Sequence, residues 1–358
     1  MKLHIIAPAF DPVTVAGAGV ALVELTSRFL RQLPATRIYL NARTAGAFPE
    51  WREASVIVPT GCMANSWRKA AAVARLQAFS FPNFPQDGVC WFPFGPMMPF
   101  WFRGNGISTI HDTLELDLPA LVSPLERAFR KILMPATVRH AQVVTVSQFS
   151  RARLQHHYGI DATVIRLATP ALPPPSTAKI PSSPYVFYPA NGYAHKNHQF
   201  LLGLWRRRLE LKSLALVFTL GSGLASLERS IRAARDAGAK VFVTGRVTGA
   251  ELAGLYANAV CTALPTLYEG FGLPLQEALI CDCPAIVNQA CPAFSENVTP
   301  DYPHFLPIDP DLWTHAILSL INSPREHLHS YLITRTWDDC ARDYIATFDS
   351  FGRAGAIA

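Results

Sequence analysis

The pattern that most constrains this chain lies at residues 264–284, where a strand-like apolar run leads through a glycine loop into a helix. Gly270 and Gly272 flank an aromatic residue, and Pro274 stands where a first helical turn begins. Apolar residues then recur at helical spacing. Because the first N–H groups of a helix have no partner within the helix, such a turn attracts anions. The pattern therefore predicts an α/β unit with a phosphate site at residues 271–273.

Two carboxylates flank this loop, Glu269 before it and Glu277 in the helix. A carboxylate repels a phosphate but accepts hydrogen bonds from sugar hydroxyls. A ligand with both a diphosphate and hydroxyl-rich rings, such as a nucleotide sugar, satisfies both parts of the pattern. The alternative is that Glu277 only favours the start of a helix and that Glu269 is a solvated loop charge.

The length of the chain indicates two domains. A chain of 358 residues exceeds one ordinary domain and suits two of about 150 to 180 residues each. Hydrophobic residues make up 50% and charged residues 16%, which allows a large core and argues against a disordered chain. No apolar run approaches the ~20 residues of a spanning helix, and no signal peptide is evident. We therefore expect a cytoplasmic protein, or one that lies on the inner face of the cell membrane.

The cysteine pattern argues against a metal site. The chain has seven cysteines, an odd number. Cys281, Cys283 and Cys291 lie close in sequence, but they lack the paired spacing of a zinc site and have no histidine nearby. We expect reduced, structural thiols and no bound metal.

Positive charge is concentrated in the first half of the chain. Residues 1–180 contain 18 Lys and Arg against 10 Asp and Glu, whereas residues 181–358 contain 14 against 16. The first half is therefore expected to face an anionic partner. No nucleic-acid-binding signature is evident, so an anionic membrane surface or a lipid-diphosphate acceptor fits better.

The first half alternates predicted strands and helices. Residues 3–9 predict a buried strand, and Gly17 and Gly19 open an amphipathic helix that ends near residue 33. Residues 67–79 predict a basic amphipathic helix, which is either an ordinary surface helix or one that lies on a membrane.

Two further segments of the first half carry functional hypotheses. Residues 94–102 are rich in aromatic residues and proline, which predicts an apolar loop that packs against the neighbouring domain or a helix, or else contacts a lipid acceptor. His111 follows a predicted strand at residues 107–110. Because ligands of parallel sheets lie at the carboxyl ends of the strands, His111 is placed to reach one. A purely structural histidine is the alternative.

A proline-rich linker at residues 173–184 separates the two halves. Beyond it, the pattern of strand, glycine loop and helix recurs. Lys196 follows a predicted strand at residues 185–189, on a loop where a compact, flexible cation suits a phosphate. Arg246 follows another predicted strand, at residues 240–243.

Three of these segments resemble the retaining glycosyltransferases of family 4. Glu269 and Glu277, with Gly-Phe-Gly-Leu-Pro between them, are similar to the E-x7-E motif of that family. Residues 109–112, Thr-Ile-His-Asp, resemble its TIHD-like segment, and residues 195–197, His-Lys-Asn, resemble its HKN loop. Relatives often carry an arginine where this chain has Ala190.

The resemblance implies the GT-B fold, an α/β architecture in which two doubly wound Rossmann-like domains face each other across a cleft. It implies an acceptor-side domain at residues 1–172, the linker at 173–184 and a donor-binding domain at 185–327. Residues 328–358 are then a C-terminal helix that crosses back to the first domain.

The resemblance also assigns roles to individual residues. His111 and Glu269 are the catalytic residues and hold hydroxyls of the transferred sugar. The donor-binding residues are Gly17, Lys196, Arg246, Phe271, Gly272, Leu273 and Glu277. Lys196 and the amides of residues 271–273 hold the diphosphate, and Glu277 holds the ribose hydroxyls. Because Ala190 replaces the common arginine, Arg246 or an arginine of the first domain is expected to compensate.

The activity implied is transfer of a hexose, with mannose favoured, from a nucleoside diphosphate sugar to a hydroxyl of a glycan or lipid-linked acceptor, with retained anomeric configuration. The nucleotide sugar is a substrate that leaves as GDP or UDP, and no metal or other cofactor is expected. Bacterial surface polysaccharide synthesis is the expected setting. The alternatives are a GT-B sugar-nucleotide epimerase, an inactive GT-B subunit that binds a nucleotide sugar, and a lipid or nucleic-acid binder.

Overall fold

The computed structural model describes residues 1–12, 17–58, 85, 87–99, 102–169, 171–323, 325 and 327–355. The chain divides into two compact units, one formed by Met1–Ala168 with Arg335–Ala358 and the other by Thr169–Thr334. The sequence pattern places the corresponding boundaries at the 173–184 linker and at residue 328. The predicted basic helix at residues 67–79 lies outside the described residues.

A parallel sheet lies at the centre of the first unit. Its described strands are β1 (Leu3–Ile6), β2 (Arg37–Leu40), β3 (Ser55–Ile57), β4 (Val89–Phe92), β5 (Gly106–Thr109), β6 (Ala141–Thr145) and β7 (Thr163–Val164). They are ordered β3-β2-β1-β4-β5-β6-β7, and each neighbouring pair runs parallel. β1, β4 and β5 are buried along their whole length, as is usual for strands of a parallel sheet that is covered on both faces.

The helices described in the first part of this unit are α1 (Gly17–Gln32), α2 (Ala42–Ala47), α3 (Leu114–Asp117), α4 (Pro124–His140) and α5 (Gln148–Tyr158). A serine side chain caps the N-terminus of α4 and of α5. Ser123 Oγ accepts a hydrogen bond from the Glu126 amide at the start of α4, and Ser147 Oγ accepts one from the Ser150 amide at the start of α5. These caps satisfy amides that have no partner within the helix, which fixes where each helix begins.

The described residues of the aromatic loop at residues 94–102 are buried or half-buried in the first unit. Met97 is fully buried, and its amide donates to Thr137 Oγ1 of α4 at 2.8 Å. Phe102 is also buried and packs against Phe92 of β4, with ring centroids 5.7 Å apart. Of the two predicted roles, packing against a helix therefore holds for this part of the loop.

The second unit contains another parallel sheet. Its described strands are β8 (Tyr185–Tyr188), β9 (Ala215–Phe218), β10 (Lys240–Val243), β11 (Cys261–Leu264), β12 (Ala285–Asn288) and β13 (Phe305–Leu306). They are ordered β10-β9-β8-β11-β12-β13 and are parallel throughout. The described helices are α6 (His198–Arg207), α7 (Leu224–Asp236), α8 (Gly249–Asn258), α9 (Leu273–Ile280) and α10 (Pro310–Ser319).

The last helix, α11 (Trp337–Gly355), belongs to the first unit. The sequence prediction of a C-terminal helix from residue 328 is wrong at its start. Leu328–Tyr331 forms a separate 3₁₀ turn in the second unit. The helix begins later because Thr336 Oγ1 accepts a hydrogen bond from the Asp339 amide at 3.1 Å and so caps the first turn.

Both units are thus parallel α/β sheets with helical connections, which confirms the predicted α/β class and the two Rossmann-like domains. Within the described part of the chain, no helix is both long enough and apolar enough to cross a bilayer.

Candidate active site

In the second unit the strand order reverses between β8 and β11, and open parallel sheets bind their ligands at such a point. Lys196 lies on the loop after β8, and Glu269 lies on the loop after β11. Lys196 Nζ is 2.5 Å from Glu269 Oε1, although the residues are 73 positions apart in the chain. Only 17% and 14% of the two side chains are exposed. The structure thus brings together two of the predicted site residues.

Backbone contacts hold Lys196 beside the second loop. The residue ends a 3₁₀ turn, Ala194–Lys196, and the Tyr188 hydroxyl donates to its carbonyl at 2.6 Å. From the loop after β11, the Leu267 amide donates to the His195 carbonyl at 2.7 Å. The two loops are therefore fastened to each other directly next to the ion pair.

The glycine loop leads into α9, as the sequence predicts. Gly272 precedes the helix with a φ of 99°, a conformation that favours glycine, and a Cβ there would lie 2.5 Å from Cδ1 of the buried Phe294. Asn297 Nδ2 donates to the Phe271 carbonyl at 2.6 Å. The amides of Phe271, Gly272 and Leu273 donate no hydrogen bond within the described part of the chain. Their role in holding a diphosphate stays a prediction.

Glu277 lies in the second turn of α9 and is half-buried. The Tyr256 hydroxyl of α8 donates to Glu277 Oε2 at 2.8 Å. Burial raises the pKa of Glu277 above the ordinary value of a glutamate, and the hydrogen bond from Tyr256 acts in the opposite direction because it stabilises the carboxylate. Tyr256 therefore orients this carboxylate and helps to keep it ionised.

Arg246 is exposed on the turn after β10. Its Cγ lies 3.4 Å from the position that a Cβ of Gly221 would take, and Asn191 Oδ1 lies equally close to that position. Asn191 Oδ1 also accepts a hydrogen bond from the Ser222 amide at 3.1 Å. Arg246 and Asn191, the residue that follows Ala190, thus both border Gly221.

His111 and Gly17 belong to the first unit and are not in the unit that holds Lys196 and Glu269. Gly17 is the first residue of α1. His111 follows β5, and its Nε2 lies 2.9 Å from the Pro93 carbonyl. Since a carbonyl only accepts, Nε2 carries the hydrogen. Burial lowers the pKa of His111, so its imidazole is neutral near pH 7.

Sequence reasoning missed the polar residues that support the site from behind, which are Tyr188, Tyr256, Thr266, Asn288 and Asn297. Asn288 Nδ2 donates to the Thr266 carbonyl at 3.0 Å, and both side chains are buried. A signal for this contact exists in the sequence, because an asparagine ends the otherwise apolar strand β12 next to the site. The pattern does not say which loop the amide holds.

The described residues include no group of three or more His, Cys, Asp or Glu side chains that could hold a metal ion. The described cysteines, Cys90, Cys261, Cys281, Cys283, Cys291 and Cys340, carry free thiols.

Residues 174–335 match a family model described as Glycosyl transferases group 1. The second unit is a glycosyl transferases group 1 domain. Lys196, Glu269 and Glu277 all lie within it. Among relatives, MMP alpha-(1->4)-mannosyltransferase of Mycolicibacterium hassiacum is 37% identical over 89 residues, which are 24% of this chain and 21% of that protein. O-antigen chain mannosyltransferase RfbU of Salmonella typhimurium is 25% identical over 224 residues, 62% of each chain.

The chain therefore spans about a fifth and about three fifths of the lengths of these two relatives. Among solved structures, Anabaena Alr3699/HepE in complex with UDP and glucose is 15% identical, with a TM-score of 0.73 over 98% of this chain and 100% of that chain. At this identity the likeness establishes the fold. The glycosyl transferases group 1 domain is thus part of a GT-B fold, as the motifs imply.

Proposed function

We propose that this protein is a retaining glycosyltransferase of family 4. It transfers a hexose from a nucleoside diphosphate sugar to a hydroxyl of a glycan or lipid-linked acceptor. The observation that carries the proposal is the Lys196–Glu269 ion pair, which joins the loops after β8 and β11 inside a glycosyl transferases group 1 domain. A cation for phosphate and a carboxylate for sugar hydroxyls stand side by side there, as a nucleotide sugar requires.

In the proposed mechanism, donor binding opens this ion pair. The Lys196 ammonium then pairs with the diphosphate instead of Glu269. The diphosphate also accepts hydrogen bonds from the amides of residues 271–273. Glu269 is then free to accept hydrogen bonds from hydroxyls of the sugar, and His111 holds another. As the bond between sugar and diphosphate breaks, negative charge builds on the departing phosphate. Lys196 and the amides stabilise the transition state, in which this charge builds up, more strongly than the bound donor, and this difference lowers the barrier.

The remaining donor contacts follow the same chemistry. Glu277 accepts from the ribose hydroxyls, and Gly17 lies against the donor phosphates. Arg246, which borders Gly221 as Asn191 does, supplies the positive charge that Ala190 does not. Neither carboxylate is a nucleophile in this proposal. The acceptor hydroxyl attacks from the face that the diphosphate leaves, its proton passes to the departing phosphate, and the configuration is retained.

Mannose is the favoured hexose and surface polysaccharide synthesis the favoured setting, because the two relatives are named as mannosyltransferases and one of them as an O-antigen chain enzyme. The nucleotide of the donor is either GDP or UDP, and UDP is included because HepE was solved with UDP. We place the enzyme in the cytoplasm or on the inner face of the membrane, where lipid-linked acceptors are presented.

The first test is donor binding. Thermal unfolding is measured with a panel of GDP and UDP sugars, because a ligand that binds only the folded state raises the melting temperature. Turnover is then followed as nucleotide release with and without a glycan acceptor, and the anomeric configuration of the product is read by NMR. Release without acceptor would identify an epimerase instead, and binding without any turnover would identify a binding subunit.

The second test is substitution. Lys196→Met, Glu269→Gln and Glu277→Gln are each expected to lower transfer about 10²- to 10³-fold in a folded protein. The exposed residues Lys240 and Glu228 give matched controls, Lys240→Met and Glu228→Gln, that should leave transfer unchanged.

The same variants test the exchange of Lys196 between carboxylate and diphosphate. Lys196→Met should weaken binding of the free nucleoside diphosphate. Glu269→Gln should keep or tighten it, because Lys196 then has no competing partner. Full transfer activity in all three site variants would show that Lys196, Glu269 and Glu277 do not form the donor site.

A further inference from the structure

The outward face of α4 carries exposed apolar side chains and is not part of the sugar-nucleotide site. Its inward face buries Leu133, Met134 and Thr137 in the first unit. Leu125 and Ile132 lie seven positions apart on the other side, with 45% and 74% of their surface exposed. Single exposed apolar residues are common, so the surroundings of this pair decide what it means.

Those surroundings are basic. Three exposed cations accompany the pair on α4, namely Arg127, Lys131 and Arg139. The one acidic residue of the helix, Glu126, pairs with Arg130, whose guanidinium also lies 3.1 Å from the buried carboxylate of Glu115. The outward face therefore combines apolar side chains with cations, and the one carboxylate of the helix, Glu126, is paired with Arg130.

A hollow of about 670 Å³ opens beside the C-terminal end of α4. Its lining includes three basic residues, Arg103, Arg139 and His140, together with the apolar or aromatic Pro135, Val138 and Tyr158. Burial lowers the pKa of His140, and the charges of Arg103 and Arg139 lower it further because they oppose a third positive charge. A positively charged hollow with apolar walls suits a phosphate headgroup with its adjoining hydrocarbon.

We infer that the outward face of α4 docks on an anionic lipid bilayer. Leu125 and Ile132 enter the interface, Lys131 and Arg139 pair with lipid phosphates, and the hollow receives one phosphate headgroup. The aromatic loop at residues 94–102, which the sequence offers as a lipid contact, is instead buried or half-buried where it is described. The lipid-facing role thus moves from that loop to this helix.

A bilayer fits this face better than a second protein or a nucleic acid. Stable protein interfaces bury about 800 Å² on each partner and are poor in charge at their centre, whereas here cations border two apolar side chains. Nucleic acids are bound through cations and need no exposed isoleucine. Basic residues around a short apolar stripe are typical of helices that lie in a membrane interface.

The inference rests on the part of the proposed function that places the acceptor at a membrane, but it is tested without donor or acceptor. The whole protein is sedimented with vesicles of phosphatidylcholine alone and with vesicles that also contain phosphatidylglycerol. We expect binding to the mixed vesicles, weak binding to phosphatidylcholine, and a steep decrease with added salt. Equal binding to both vesicles would overturn the inference.

Variants locate the surface. Each basic residue near an anionic membrane is worth about fivefold in binding, so K131E/R139E should weaken binding at least about 25-fold. Leu125→Ser with Ile132→Ser should also weaken it. The matched controls lie in the second unit: R229E/R232E on α7 makes the same change of charge, and Leu209→Ser removes an apolar side chain that is 76% exposed. If R229E/R232E weakens binding as much as K131E/R139E, the charge of the whole protein is responsible and α4 is not the docking face. If Leu209→Ser weakens binding as much as the serine variants of α4, the apolar contact is not specific to α4 either.

Two further outcomes point to other occupants. A wild-type dimer that K131E/R139E converts to monomers, with no vesicle binding by either, would assign α4 to a second copy of the chain. Failure of membrane docking by α4 can be told apart from failure of the proposed glycosyltransferase function. The α4 variants should transfer sugar to a soluble acceptor at the wild-type rate, and a protein that binds vesicles but transfers no sugar would keep this surface and lose the proposed activity.

Discussion

His198 is a buried histidine that follows the Lys196 loop, and its environment keeps it neutral. Its ring lies against Tyr188 and Phe218, with ring centroids 4.7 and 5.1 Å away. Only 1% of the residue is exposed, and no described side chain forms a hydrogen bond with its ring nitrogens. Burial lowers the pKa of His198 to about 4. A proton on this ring therefore opposes folding of the second unit.

We predict that acid destabilises the second unit through His198. In the unfolded chain a histidine takes up its proton near pH 6.5, whereas the folded unit admits it only near pH 4. Between these values the unfolded state binds more protons, so the free energy of unfolding falls as the pH is lowered from about 6.5 to about 4. The loss amounts to about 3 kcal/mol. Urea unfolding across this pH range measures it.

His198→Phe keeps an aromatic ring between Tyr188 and Phe218 and cannot be protonated. Its unfolding free energy should therefore fall less steeply over the same pH range. His315→Gln, which removes an exposed imidazole from α10, is the control and should follow the wild-type curve. A variant His198→Phe with the full acid sensitivity of the wild type would contradict this account.

Sequence reasoning found charged residues of the site but not their partners. Lys196 and Glu269 stand out because each follows a strand in a recognisable motif. Their pairing joins positions 73 residues apart and follows only from the strand order, which places β8 next to β11. Glu277 was likewise predicted, whereas the Tyr256 hydroxyl that orients it comes from the preceding helix, and no local pattern marks it.

At the scale of elements, the turn into α9 depends on a glycine for two separate reasons. Gly272 has a φ of 99°, which costs other residues about 1 to 2 kcal/mol. A methyl group there would also meet the ring of Phe294 at 2.5 Å, and Phe294 is fully buried and has little room to move. The start of α9, and with it the predicted phosphate site, therefore has little tolerance for a side chain.

We predict that Gly272→Ala destabilises the second unit by about 2 to 5 kcal/mol, as left-handed strain and overpacking add. It should also weaken nucleoside diphosphate binding, because the amides of residues 271–273 shift with the turn. Chemical unfolding and nucleotide titration measure the two effects.

Gly159 provides the matched control for this substitution. It has a φ of 67°, and a Cβ there meets no atom within 4 Å. Gly159→Ala should therefore cost only the strain, about 1 to 2 kcal/mol, and leave nucleotide binding unchanged. If the two variants were equally stable and bound nucleotide equally well, the contact with Phe294 would have no energetic importance.

Elements with local signals were predictable, and elements set by a cap were not. The strand at residues 240–243 and the glycine loop before α9 agree with the structure because apolar runs, glycine and proline act within a few residues. The last helix was placed too early, since the segment from residue 328 is apolar enough to extend the helical pattern. Its true start depends on the hydrogen bond between Thr336 and Asp339.

At the scale of the whole molecule, the chain builds the first unit from both of its ends. Tyr344 of α11 is fully buried, and its ring centroid lies 5.3 Å from that of Trp91 in β4. Its hydroxyl is 2.9 Å from Thr109 Oγ1 of β5, which also accepts a hydrogen bond from Trp91 Nε1. The proposed nucleotide contacts of Lys196 and Glu277, in contrast, lie entirely in the second unit. Stability of the first unit and nucleotide binding should therefore respond to different substitutions.

We predict that Tyr344→Ala destabilises the first unit by about 3 to 5 kcal/mol, the usual cost of removing a buried aromatic ring. Tyr344→Phe should cost about 1 kcal/mol, because it removes only the hydrogen bond to Thr109. In calorimetry the larger change lowers the transition of the first unit by roughly 6 to 20 °C. The exposed Arg342 supplies the control, and Arg342→Ala should change little.

A nucleoside diphosphate added to the same samples should raise the transition of the second unit in wild type and Tyr344→Ala alike, because it binds residues that the substitution does not reach. Two transitions that move independently are the expected result. If Tyr344→Ala abolished the nucleotide-induced shift at temperatures where the protein is folded, the proposed contact of the first unit with the donor phosphates would contribute more to binding than Lys196 and Glu277 of the second unit. In that case Gly17, whose helix packs its Phe29 ring 6.2 Å from that of Tyr344, would be the first residue to test.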